Sequence, residues 1–85
     1  MHELALHAEL QTERNHLAKA QRDIEDGWLR LRRQQQAVAG LRDGGHKTGE
    51  ADRLVDLTLK TLTEWERHRS LIEARILYLE GKLLE

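Results

Sequence analysis

Residues 10–38 read LQTERNHLAKAQRDIEDGWLRLRRQQQAV, and within them Leu10, Leu17, Ile24, Leu31 and Val38 recur at every seventh position. A seven-residue apolar repeat marks a helix that packs one seam against another helix. Most of the remaining residues are Gln, Glu, Arg, Ala and Lys, all strong helix formers. Asp26-Gly27 is the one breaker signal inside the stretch. Glycine costs about 1 kcal/mol relative to alanine in a helix interior. The repeat nevertheless keeps its phase from Ile24 to Leu31, and a turn would shift it. The spacing therefore predicts one continuous helix over about 2–41.

The segment that follows is rich in glycine: Gly40, Gly44, Gly45 and Gly49, with Asp43-Gly44 as a turn pair. Gly40 or Gly44 is the expected left-handed cap of the first helix, and Thr48 the expected N-cap of the next. Such a loop, over about 42–49, is a short helix–helix connection. A second helix is expected over about 50–84. Its seam is Val55, Leu62, Arg69, Ile76 and Leu83, with Thr58, Trp65, Ile72 and Leu79 interleaved three residues later.

Two helices of matched length and a short loop make an antiparallel hairpin. In such a pair, residues at one level have a constant index sum. Val38 with Val55, Leu31 with Leu62, Leu17 with Ile76, Leu10 with Leu83, and Trp28 with Trp65 all share one sum. Its centre falls between His46 and Lys47, inside the glycine-rich loop. In this register the second seam of the first helix is Arg14, Gln21, Trp28 and Gln35, and Ile24 faces Arg69. Gly27 then makes room for two indoles packed in one layer.

Composition bounds the rest. The chain has 85 residues, which is one domain, and it has no Cys, Pro or Phe. Disulfides and Cys-ligated zinc are thereby excluded. A net charge of −1 leaves no electrostatic footprint for nucleic acid. No run of roughly 18 apolar residues crosses a bilayer, and Met1-His2-Glu3-Leu4 has no signal-peptide pattern. The expectation is a cytoplasmic protein without membrane or nucleic-acid partners.

A two-helix hairpin cannot surround its own core, and this one carries apolar residues beyond the seam. Leu4, Leu6, Leu57, Leu71, Leu77, Tyr78 and Leu84 form the expected interface set, concentrated toward the open end. The simplest cover is a second copy, giving a homodimeric four-helix bundle; a helical protein partner is the alternative.

Catalytic constellations are absent. Asp43-Gly44-Gly45-His46-Lys47-Thr48 fails as a phosphate-binding loop, because it lacks Gly before Lys47 and follows a helix. Glu13-Arg14-Asn15-His16 has the Glu-x-x-His spacing of carboxylate-bridged di-metal bundles, and Glu80 falls level with Glu13 in the shared register. Glu13, His16 and Glu80 are therefore the metal candidates of a competing reading; the commoner role of such residues is a helix surface. The sequence thus reads as all-α: an antiparallel, coiled-coil-like hairpin acting without cofactor, a structural or protein-interaction module and not an enzyme.

Overall fold

The computed structural model describes residues 2–85. Helix α1 spans His2–Asp43 and helix α2 spans Gly49–Leu84. They lie side by side as an antiparallel hairpin whose Cα extents are 66 × 14 × 14 Å. Helix α1 runs through Asp26 and Gly27 without interruption, as the unbroken heptad phase requires.

The connection is shorter than expected and its cap lies elsewhere. Among the described residues Gly45 alone has a positive φ, of 76°. The amide of His46 donates to the carbonyl of Leu41 at 2.8 Å, and that of Gly45 to Arg42 at 3.1 Å. This pair of bonds is a Schellman motif with Gly45 at the position after the cap, so neither Gly40 nor Gly44 fills that role. Thr48 does precede α2, but its hydroxyl donates to the Asp52 carboxylate at 2.8 Å and accepts no backbone N–H.

Burial defines the facing surfaces. On α1 the seam positions step by three and four: Leu6, Leu10, Glu13, Leu17, Ala20, Ile24, Gly27, Leu31, Gln34, Val38 and Leu41, with Asp23 half-buried at the edge. On α2 the seam positions are Ala51, Val55, Thr58, Leu62, Trp65, Arg69, Ile72, Ile76, Leu79 and Leu83, with Thr61, Glu66, Glu80 and Lys82 half-buried at its edges. The α2 seam and the leading α1 seam are those read from the sequence. The second α1 seam is displaced by one residue: Glu13, Ala20, Gly27 and Gln34 face inward, in place of Arg14, Gln21, Trp28 and Gln35. Trp28 is 45% exposed and shares no layer with Trp65.

Gly27 fixes the register. A Cβ built there would lie 2.7 Å from Leu62 Cδ2 and 3.3 Å from Trp65 Cζ3. Keeping the index sum of this contact brings Ala20 to the level of Arg69, Leu31 to Thr58, and Val38 to Ala51. The pairing shifts by about one helical turn from the expected one. In these layers a large residue opposes a small one, whereas Trp opposite Trp would wedge the helices apart. Two cores result. Leu6, Leu10, Ile72, Ile76 and Leu79 pack near the open end, with Leu17, Ala20 and Leu83 against them. Ile24, Leu31 and Leu62 pack in the middle with Val55 and Trp65.

Polar groups along the seam keep their heads at its edge. Arg69 lies between Glu66 and Glu73, each 3.9 Å away, with its stem on the seam. Glu9 pairs with Arg75 at 3.0 Å and Arg14 with Glu80 at 3.5 Å, one pair on either flank. Both pairs are exposed, so each contributes about 0.2–1 kcal/mol and serves mainly to favour this register.

These contacts rank the helical glycines by the cost of substitution. Nothing lies within 4 Å of a Cβ at Gly40 or Gly81. Gly40→Ala and Gly81→Ala should each stabilise the hairpin by about 0.5 kcal/mol through backbone propensity. Gly27→Ala should give no such gain, because the fully buried Leu62 must move. Gly27→Val should cost about 2 kcal/mol. Urea denaturation measures all four, and equal gains at Gly27 and Gly40 would contradict the tight layer.

Candidate interaction surface

The surface outside the seam follows from the same periodicity. At about 100° per residue, positions seven apart share a flank. Leu57, Leu71 and Tyr78 therefore lie along one flank of α2, together with Leu54, Thr61, Glu64, His68 and Arg75. Leu77 and Leu84 lie on the other, on the side of Leu59. Leu4, Leu54, Leu57, Leu59, Leu71, Leu77, Tyr78 and Leu84 are all exposed, Leu71 at 66% and Leu77 at 71%. The expected interface residues thus split between two flanks of α2 and the start of α1.

Leu6 does not belong with them. It is 9% exposed and is part of the open-end core with Ile76 and Leu79. Leu4 is its neighbour in sequence only, since two residues along a helix turn the side chain by about 200°.

The first flank holds a concavity. Gly27 leaves a gap between the helices, and a cleft of about 160 Å³ opens above it. Leu54, Leu57, Leu62 and Trp65 supply its apolar wall, and Arg30 and Gln34 its polar edge. Gln34 Oε1 is buried there and has no hydrogen-bond partner within the hairpin. Further along the same flank the Arg75 guanidinium lies 5.2 Å and the Lys82 ammonium 5.7 Å from the centre of the Tyr78 ring. These cation–π contacts hold the ring against α2. Trp28, Leu29, Leu54 and Leu59 are exposed large apolar residues outside the expected interface set. Leu54 was recognisable as surplus to the seam, whereas Trp28 was hidden by its assignment to the seam itself.

The metal candidates do not assemble within the hairpin. His16 Nδ1 lies 3.8 Å from Glu13 Oε1, a helix-surface pair. Glu80 instead accepts from Arg14. Among the described residues no group of three or more His, Asp or Glu side chains is close enough to share an ion. The register explains this: Glu13 lies one turn away from the level that would set it beside Glu80.

The fold defines the class: a two-helix antiparallel hairpin of coiled-coil type, with one packed seam and apolar residues left on both flanks of α2. No helix in it is long and apolar enough to cross a membrane. No protein-family model, curated protein or solved structure matches the chain.

The contrast between Leu6 and its neighbour Leu4 is directly measurable. Leu6→Glu should destabilise the hairpin by several kcal/mol, since it places a carboxylate in an apolar core. Leu4→Glu should change stability by less than about 0.5 kcal/mol. Thermal melts followed by circular dichroism report both; matching melts would return Leu6 to the surface set.

Proposed function

We propose that this protein is a helix-packing interaction module whose hairpin presents the flanks of α2 to further helices, completing a bundle. One observation carries the reading: six α2 leucines, Leu54, Leu57, Leu59, Leu71, Leu77 and Leu84, are exposed on a helix whose seam is already filled. Leucines dispersed singly over a surface need no explanation, but repeats on defined flanks of one helix do.

Area supports the same reading. A compact monomer of this mass exposes about 5,200 Å². The hairpin, at 9.9 kDa, exposes 6612 Å². The excess of roughly 1,400 Å² per chain is in the range of surface that permanent helical assemblies cover. The work of such a module is apolar burial, with charged edges selecting orientation, and no catalytic step is part of it. A cytoplasmic setting belongs to the proposal, on the cysteine-free and strongly charged composition.

Isolation of the tagged chain from its native source should yield it in fixed stoichiometry with a helical companion, either its own copy or another protein. A bare monomer in that isolation would defeat the reading. Expression with iron, manganese and zinc supplied, followed by metal analysis, addresses the competing di-metal bundle. Stoichiometric metal lost in a Glu13→Gln variant would favour that bundle instead.

A further inference from the structure

We draw no further inference here: the strongest candidate, the exposed apolar patch of Leu71, Leu77, Tyr78 and Leu84 toward the C-terminal end of α2, lies open on the hairpin and nothing in the structure shows what covers it.

Discussion

The close approach of Gly27 to Leu62 is the constraint on which the remaining geometry depends. Leu62 is among the most deeply buried side chains of the hairpin, and only a residue without a side chain leaves space for it opposite. Once these two are level, the heptad carries every other layer. Trp65 falls beside Ile24, Arg69 opposite Ala20, and Leu79 beside Leu10. The ion pairs Glu9–Arg75 and Arg14–Glu80 close the two flanks at the same register. Glycine weakens α1 as an isolated helix, so the packing it allows offsets a cost in backbone propensity.

The same contact shapes the outer surface. Gly27 lies against Leu62 in the seam and also floors a cleft on the flank, walled by Leu54, Leu57 and Trp65. The hairpin therefore presents more than a flat line of leucines: it presents ridges and a depression, the elements that helix packing interlocks. A long, thin shape exposes more surface than its mass requires, and coverage by further helices removes that excess.

Much of this was legible in the residues. The repeat from Leu10 to Val38 announced α1, and its unbroken phase across Asp26-Gly27 showed that the helix continues. Glycines at 40–49 marked the turn, and both α2 seam sets were read correctly. The error lay in the second α1 seam. A helix has 3.6 residues per turn, so positions three and four beyond a seam residue are nearly equivalent in one sequence. Trp28 drew the choice to the four-residue step because burying an indole is favourable. The three-residue step holds Glu13, Ala20, Gly27 and Gln34, which give almost no hydrophobic signal. From that displacement followed the misplaced Trp28–Trp65 layer and the apparent meeting of Glu13 with Glu80. Leu6 belongs to the same set, seven residues before Glu13, and its burial follows from the same step.

Local chemistry alone decided that there are two helices, where they turn and that they run antiparallel. Helix propensity, the seven-residue period and glycine's access to positive φ are all properties of short stretches. Only the folded pair decided which of two adjacent faces of α1 meets α2, and at what level. That choice depends on the summed size of opposing side chains across a nearly constant gap, and the size of Leu62 matters only once Gly27 lies opposite it. The seam of Leu10–Val38 thus specified that a partner helix exists, while the small residues between its members set how that partner fits.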